Sequence, residues 1–230
     1  MPRKIVIAID GPAGAGKSTI AKALAKQLDL NYLDTGAMYR ALALKASRFG
    51  MGTDDGEQAA AMGEQTRIEF APGDPQRVLL DGEDVTSAIR SLEVGELASA
   101  LSAHPKVRRL LATRQREMVS EGGYTLEGRD VTTVVAPDAE VKVYLTASLE
   151  ERAKRRHFEL HEKGSGADFS QVRREMQVRD SRDITREDSP LTVAEGATII
   201  ESGGLTIEEV IARVRSLADE AIAKNEKACS

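Results

Sequence analysis

The feature that most constrains the fold is a glycine-rich segment between an apolar run and a helical pattern. The run Lys4–Ile9 (KIVIAI) is almost continuously apolar and rich in β-branched residues, as in a strand covered on both faces of a parallel sheet. The segment Gly11–Ser18 (GPAGAGKS) follows it, and from Lys17 to Leu28 apolar residues recur at helical spacing. The first 28 residues therefore predict a strand, a tight loop and a helix, which is half of a βαβ unit.

The glycine-rich segment has the spacing G-x-x-x-x-G-K-[ST] of loops that bind phosphate groups. Glycine adopts positive φ freely, so the backbone can turn its N–H groups inward, and the N-terminus of the next helix adds partial positive charge. We expect Lys17 to contact the β- and γ-phosphates of ATP and Ser18 to supply a hydroxyl to Mg²⁺. The predicted ATP-binding residues are Gly11, Pro12, Ala13, Gly14, Ala15, Gly16, Lys17, Ser18 and Thr19.

Strand and helix patterns alternate along the rest of the chain, which favours an open, mainly parallel sheet in a three-layer α/β fold. Further strands are predicted at Asn31–Leu33, Tyr124–Leu126, Val141–Leu145 and Thr198–Glu201. Helices are predicted at about 37–48, 57–66, 94–101, 105–120, 149–162 and 207–224.

Two segments depart from this alternation. From Arg67 to Val85, Ile68 and Phe70 alternate with charged residues between turn sequences, which predicts a small antiparallel insert. The stretch Glu150–Pro190 is dense in charge and poor in apolar residues, and the segment Lys163–Asp168 (KGSGAD) divides it. We expect a mobile hairpin of two helices there.

Composition restricts the partners. With 32 Lys and Arg against 37 Asp and Glu, the net charge is −5 and the pI is near 5.4, so the overall field repels nucleic acids and anionic membranes. The single cysteine, Cys229, excludes an intrachain disulfide and a cysteine-based metal site. No stretch approaches the roughly 20 apolar residues of a membrane span. We expect a cytoplasmic monomer whose partners are small molecules, with no nucleic-acid or membrane partner.

A phosphate-binding loop alone does not distinguish a kinase from a GTPase, a motor or a transport ATPase. The sequence contains neither D-x-x-G nor N-K-x-D, the switch and guanine-recognition elements of GTPases. No apolar strand ends in the Asp-Glu pair of helicase-type ATPases. A small-molecule kinase is therefore favoured, while a regulatory ATPase and a kinase acting on a shikimate- or gluconate-like acceptor remain alternatives.

A kinase also needs cations that hold its second anionic substrate and neutralise the transferring group. Arginines stand where such a site is expected, after strands and on both helices of the predicted hairpin. They are Arg40, Arg108, Arg129, Arg152, Arg155, Arg156, Arg179, Arg182 and Arg186. Those on each hairpin helix are spaced three or four residues apart and share one face.

Four motifs together resemble those of bacterial cytidylate kinases, which are nucleoside monophosphate (NMP) kinases: Ile9–Pro12 (IDGP), Leu33–Arg40 (LDTGAMYR), Glu127–Asp130 (EGRD) and Arg179–Asp183 (RDSRD). The resemblance covers almost the whole chain, and the insert at about 67–85 is also similar. It implies an α/β P-loop three-layer fold in one domain with a five-stranded parallel core. The core is expected at about 1–35, 86–150 and 190–230, the NMP-binding region with its antiparallel insert at about 36–100, and a short lid at about 150–188.

The resemblance implies transfer of the γ-phosphoryl group of ATP, with Mg²⁺, to CMP or dCMP in pyrimidine metabolism. The implied catalytic residues are Lys17, Arg129, Arg155 and Arg186. In the acceptor site, Arg40 and Arg129 would bind the phosphate, Ser99, Arg108 and Asp130 the cytosine, and Arg179 and Asp183 the ribose. Thr35, Tyr39 and Arg186 complete the implied CMP-binding set, with Thr35 standing where the family often has Ser.

The sequence leaves two possible roles open for each of two carboxylates. Asp10 either acts through Mg²⁺ or ends the first strand. Asp34 either orients the acceptor loop or contacts a metal-bound water.

Overall fold

The computed structural model describes residues 4–73, 75–162, 164 and 166–228 of the 230-residue chain. Its residues form two compact units: Asp34–Glu117, and the described residues on either side of that segment. Cys229, together with Lys163 and Ser165 of the predicted hairpin break, lies outside the described residues. No helix of the described ranges has the combined length and apolar character needed to cross a membrane.

The described strands and helices follow the predicted order. The strands are β1 (Lys4–Asp10), β2 (Asn31–Asp34), β3 (Ile68–Ala71), β4 (Arg77–Leu80), β5 (Glu83–Asp84), β6 (Gly122–Gly128), β7 (Val141–Thr146) and β8 (Thr198–Glu201). The helices are α1 (Lys17–Leu28), α2 (Thr35–Arg48), α3 (Gly56–Glu64), α4 (Leu92–Leu101), α5 (Pro105–Val119), α6 (Leu149–Glu162), α7 (Phe169–Thr185) and α8 (Ile207–Ala228).

A five-stranded parallel sheet with the order β2-β6-β1-β7-β8 confirms the predicted core. The central strand β1 is buried from Ile5 to Asp10, as its continuous apolar run predicts. Ile5, Ile7 and Ile9 pack in a core with apolar residues of α1, β7, β8 and α8. Because the strands are parallel, the carboxyl ends of β1 and β6 lie at one edge, with Ile9 beside Glu127 and Asp10 beside Gly128.

The unit Asp34–Glu117 contains the predicted insert as the antiparallel sheet β3-β4-β5. Val78, Leu80 and Val85 of this insert pack in one apolar cluster with Ala37 and Ala41 of α2. Alanines on this face of α2 allow the sheet to approach the helix closely, while β5 stays exposed.

Two helices begin earlier than predicted because side chains cap them. Helix α2 starts at Thr35 rather than at about 37, since Asp34 Oδ1 accepts a hydrogen bond from Ala37 N at 3.0 Å. Helix α4 starts at Leu92 rather than at about 94, since Ser91 Oγ accepts from Val94 N at 3.2 Å. Asp34 Oδ2 also accepts from Arg90 Nη2 at 3.0 Å, so this carboxylate orients the start of α2.

The predicted hairpin is formed by α6 and α7, and Asp168 caps α7 by accepting from the backbone N of Ser170 and Gln171. The hairpin has its own apolar core, to which one residue of the glycine-rich loop contributes: Ala13, Ala153, Leu160, Val172 and Met176. The base of the hairpin is therefore packed on the loop.

Asp10 ties β1 to the short π-helical turn Val131–Val135 that follows β6. Its Oδ1 accepts from Val131 N at 3.0 Å, and its Oδ2 accepts from Thr132 N at 2.8 Å and Thr132 Oγ1 at 2.5 Å. Complete burial raises the pKa of Asp10 from 3.8 to about 6, although the hydrogen bonds from Thr132 and Val131 oppose this shift. Asp10 is the last residue of β1, so the structure shows the second of its two possible roles, as the residue that ends the first strand.

The raised pKa predicts how Asp10 couples folding to pH. A group whose pKa is higher in the folded state than in the unfolded state stabilises the protein at pH values below its unfolded-state pKa. This stabilisation is lost as the pH rises through its folded-state pKa. Relative to Asp10→Asn, we expect the wild-type free energy of unfolding to gain about 2 kcal/mol as pH falls from 7.5 to 4, and about 3 kcal/mol once the pH is well below 3.8. Urea unfolding of both proteins across this range measures the difference, and a difference independent of pH would contradict the assignment.

Candidate active site

The glycine-rich loop between β1 and α1 has the backbone that its motif predicts. Gly11 adopts φ 147°, and a Cβ built on it would lie 1.9 Å from the carbonyl O of Leu145 in β7. Gly14 adopts φ 72°, and its Cβ would lie 2.8 Å from Cε of Met176. At Gly11 both the conformation and the close approach to backbone require glycine, whereas at Gly14 the positive φ is what favours it, because the end of the Met176 side chain could move aside.

Lys17 points back into this loop. Its side chain is buried, with 4% of the residue exposed, and Nζ donates a hydrogen bond to the carbonyl O of Pro12 at 2.9 Å. Burial lowers the pKa of Lys17 from 10.5 to about 7; Arg129 and Arg179 lower it as well, while Glu127 and Asp10 raise it. An anionic ligand in the loop would supply the negative charge that this ammonium lacks.

Glu127, at the end of β6, holds the Ser18 hydroxyl. Ser18 Oγ donates to Glu127 Oε1 at 2.6 Å, and Tyr32 Oη donates to the same oxygen at 3.4 Å. Glu127 belongs to the EGRD motif, but no role is predicted for it from the sequence. The available signal was its position, because a carboxylate at the end of a neighbouring parallel strand lies at the edge where the loop also lies.

Asp183 lies in the unit that contains the phosphate loop and accepts hydrogen bonds from two arginines. Arg129 Nε donates to Asp183 Oδ2 at 3.0 Å, and Arg186 Nη1 donates to Asp183 Oδ1 at 3.3 Å. Burial alone would raise the pKa of Asp183, but the charges of Arg129, Arg179 and Arg186 lower it below its usual range. The structure thus brings together four of the residues implied for the acceptor site, and their net charge is positive.

Asp130 is a further implied acceptor residue in this unit, and it is buried. Arg155, implied as catalytic, has partners elsewhere in the same unit: its Nη1 donates to Ser202 Oγ at 3.0 Å and its Nη2 to Ser202 O at 2.9 Å. Ser202 follows β8, so in this structure Arg155 is bound to the end of an outer strand.

The other implied acceptor residues lie in the unit Asp34–Glu117. The Arg108 guanidinium stands over the Tyr39 ring, 5.6 Å from its centroid, and Arg108 Nη1 donates to Ser102 O at 3.1 Å. Arg40 Nη1 donates to Ile89 O at 3.1 Å. Thr35 and Ser99 are buried in the same unit. Within this unit, therefore, the structure brings Tyr39 and Arg108 together.

These features define the chemistry that the site supports. The loop offers Lys17 for one phosphate chain, and the Arg129–Arg179–Arg186 cluster offers guanidinium groups for another anion. Arg129 and Arg179 also influence the Lys17 ammonium electrostatically. Two clusters of positive charge that act on each other suit phosphoryl transfer between two anionic substrates.

Comparisons with known proteins agree with this chemistry. A family model described as "Cytidylate kinase" matches residues 7–220. A protein named cytidylate kinase from Desulfitobacterium hafniense is 47% identical over 222 residues, which are 96% of each chain. One of the same name from Carboxydothermus hydrogenoformans is 49% identical over 209 residues, covering 90% of this chain and 94% of its own. A solved structure of an uncharacterized protein from Eubacterium ventriosum shares the fold, with 11% identity, a TM-score of 0.52, and coverage of 94% of this chain and 99% of its own.

The lowered pKa of Lys17 predicts proton uptake when a triphosphate binds. At pH 7.5 a lysine with a pKa of about 7 is mostly neutral, and bound phosphates restore its charge, so we expect uptake of about half a proton or more per ATP. Calorimetric titrations in buffers of different ionisation enthalpy measure this uptake. Lys17→Arg is the matched control, because a guanidinium stays charged and takes up no proton. Equal uptake by both proteins would contradict the assignment to Lys17.

Proposed function

The chain belongs to the cytidylate kinase family, and from this premise we propose that it transfers the γ-phosphoryl group of ATP to CMP or dCMP. The products are ADP and CDP or dCDP. The observation that carries the proposal is that Lys17 of the phosphate loop lies in the electrostatic field of Arg129 and Arg179, two of the arginines whose charges act on Asp183, within one unit. A regulatory ATPase can use the loop with a single arginine at the transferring group, whereas an anionic acceptor needs further cations of its own, which the remaining arginines of the cluster would supply.

The transfer uses groups of both substrates. An oxygen of the CMP phosphate attacks the γ-phosphorus of ATP, the new P–O bond forms, and the bond to the β–γ bridging oxygen breaks as ADP leaves. A phosphate dianion is already deprotonated at neutral pH, so no general base is needed. We assign Lys17 to the β- and γ-phosphates and Arg129 to the acceptor phosphate, where their charges neutralise the oxygens of the transferring group.

The residues around Ser18 fit Mg²⁺. The Ser18 hydroxyl donates a hydrogen bond to Glu127, which leaves the lone pairs of the serine oxygen available to a metal, and Mg²⁺ prefers oxygen ligands and retains several waters. When bound with ATP, the metal neutralises charge on the β- and γ-phosphate oxygens. Ser18 would hold it, and Glu127 would keep the serine hydroxyl in the orientation seen here.

The remaining acceptor residues are assigned from the family motifs. Arg40 joins Arg129 at the acceptor phosphate, with Arg179 and Asp183 at the ribose. Ser99, Arg108 and Asp130 recognise cytosine, whose exocyclic amino donor and ring acceptors suit a carboxylate and a guanidinium. Thr35 and Tyr39 line this site. What supports these assignments is burial: Thr35, Ser99, Arg108, Asp130 and Asp183 are buried polar residues.

Arg155 and Arg186 complete the proposed machinery as lid arginines that reach the phosphates when both substrates are bound. Each already has protein partners, Ser202 for Arg155 and Asp183 with Ser189 for Arg186. Reaching the phosphates therefore requires an exchange of partners. We further propose that the enzyme acts as a monomer in the cytoplasm, because one chain supplies all of the assigned groups and ATP and CMP are small soluble substrates.

A panel of acceptors with ADP detection tests the proposal. ATP is supplied with CMP, dCMP, UMP, AMP, shikimate, gluconate or no acceptor. We expect ADP formation to depend on CMP or dCMP. Turnover without an acceptor would indicate a regulatory ATPase, and turnover with shikimate or gluconate in place of CMP would indicate another kinase of this fold; either result overturns the proposal.

Lys17→Ala should lower kcat by on the order of a hundredfold or more, about 3 kcal/mol, because a preorganised charge that stabilises the transferring group is lost. Steady-state kinetics with CMP measures the loss, and circular dichroism confirms that the variant is folded. A folded variant with near-normal kcat would refute the role assigned to Lys17.

Asp130→Asn should lower discrimination between pyrimidines. UMP presents an exocyclic oxygen where CMP presents an amino group, so the carboxylate of Asp130 repels UMP, whereas an amide can donate to it. We expect the ratio of kcat/KM for CMP over UMP to fall by about 1 to 3 kcal/mol in selectivity. If both values drop together and the ratio is unchanged, Asp130 does not recognise the base.

A further inference from the structure

The phosphate loop is attached to the α6–α7 hairpin through the backbone of Ala13. Ala13 N donates to Asp180 Oδ1 at 3.1 Å, and Ala13 O accepts from Arg152 Nη1 at 2.9 Å. Arg152 Nη1 and Asp180 Oδ2 lie 2.5 Å apart, so the same two side chains also form an ion pair. One ion pair between α6 and α7 thus fixes two successive peptide groups of the loop.

This ion pair is enclosed. Arg152 and Asp180 are each 7% exposed, and Arg152 Nε makes a further hydrogen bond to Ala147 O at 2.9 Å. Removing two charges from water is costly, and the cost is offset only where both groups are well hydrogen-bonded. Here the loop backbone supplies part of that hydrogen bonding, so the geometry of the pair and the geometry of the loop depend on each other.

Lys17 holds the same part of the loop from the opposite direction. Its Nζ donates to Pro12 O at 2.9 Å, and this carbonyl belongs to the same peptide group as Ala13 N. In a trans peptide the C=O and N–H bonds point to opposite sides. Asp180 therefore fixes the direction of the carbonyl that receives Lys17, and it can keep that peptide group in place when Lys17 turns to the phosphates of a bound nucleotide.

The packing of the loop agrees. The Ala13 methyl lies in the apolar core of the hairpin, and a Cβ on Gly14 would come within 3.1 Å of Arg152 O and 2.8 Å of Met176 Cε. Ala13 is thus packed in the core of the hairpin, and Gly14, although exposed, lies against Arg152 and Met176. The shape of the loop is set by the hairpin as well as by its own glycines.

We propose that Arg152 and Asp180 are positioning residues that hold the phosphate loop in its nucleotide-binding shape and thereby set the affinity for ATP without contacting it. The inference rests on the proposed use of ATP as phosphoryl donor. None of the family-derived site assignments includes either residue. The competing explanation is that the pair only stabilises the hairpin, and the experiment is designed to separate the two.

The first comparison is between Asp180→Asn and Glu175→Gln. Both variants neutralise one carboxylate of α7, but Glu175 is exposed and its carboxylate accepts from Gln171 on the same helix. We expect Asp180→Asn to raise the Kd for ATP, measured by calorimetry without acceptor, by about tenfold, since a charge-assisted bond to the loop is lost. The KM for CMP should change by less than about twofold, and Glu175→Gln should match the wild type.

The second comparison separates positioning from stability. In the double variant Arg152→Met with Asp180→Leu, apolar side chains replace the ion pair, a change that often preserves or increases stability. We expect its Tm to lie close to that of the wild type while its Kd for ATP stays raised by about tenfold or more. Arg152→Lys, which keeps the charge but not the forked geometry, should also bind ATP more weakly than the wild type.

The inference would be overturned if the double variant had both the Tm and the ATP affinity of the wild type. It would also be overturned if the Kd of Asp180→Asn for ATP lay within about twofold of the wild-type value, or if Glu175→Gln lost as much ATP affinity as Asp180→Asn. If Asp180→Asn does not fold, the double variant and Arg152→Lys decide. A wild-type protein that binds ATP but does not phosphorylate CMP would overturn the proposed function alone, because the affinity comparison uses no acceptor.

Discussion

Burying the Lys17 ammonium beside Arg129 and Arg179 sets the electrostatic requirement that the rest of the active site satisfies. Desolvation and like charge both disfavour the protonated lysine, as its lowered pKa shows. The unfavourable free energy of the buried, protonated lysine is offset when the ligands bind, because they are polyanions and reverse the sign of the local electrostatic potential. A phosphate loop whose lysine were fully paired with carboxylates would bind phosphate less well, since those carboxylates would compete with it.

The carboxylates near Lys17 are hydrogen-bonded to groups other than the lysine. Asp10 is occupied by the turn that follows β6, Glu127 by the Ser18 hydroxyl, and Asp183 by two arginines. Each fixes the position of a group that the proposed reaction needs, while none is hydrogen-bonded to Lys17. The carboxylates therefore position the groups of the site without forming a hydrogen bond to the lysine. For Asp10 and Glu127 this follows from their places at the ends of β1 and β6.

How much of this the sequence could predict depends on whether a feature is local. The strand, loop and helix from Lys4 to Leu28 follow from continuous apolar character, glycine spacing and helical periodicity, and the structure confirms all three. The early starts of α2 and α4 were missed because a cap depends on one side-chain bond that periodicity does not show. The roles of Glu127 and Asp180 were missed because their partners, Ser18 and Ala13, lie 109 and 167 residues away in sequence.

The same distinction explains why the lid arginines were the hardest group to interpret from sequence. Helical spacing places Arg152, Arg155 and Arg156 on neighbouring positions of α6, but it does not rank them. In the structure Arg152 is hydrogen-bonded to the phosphate loop and to Asp180, whereas among the described residues Arg155 is hydrogen-bonded to neutral groups of Ser202. A charged phosphate oxygen is a stronger acceptor than a hydroxyl or a carbonyl, so in the proposed reaction Arg155 would gain by exchanging partners, and Arg152, already paired with a carboxylate, would not. One helix can in this way provide both a fixed support for the loop and a movable cation for the transferring group.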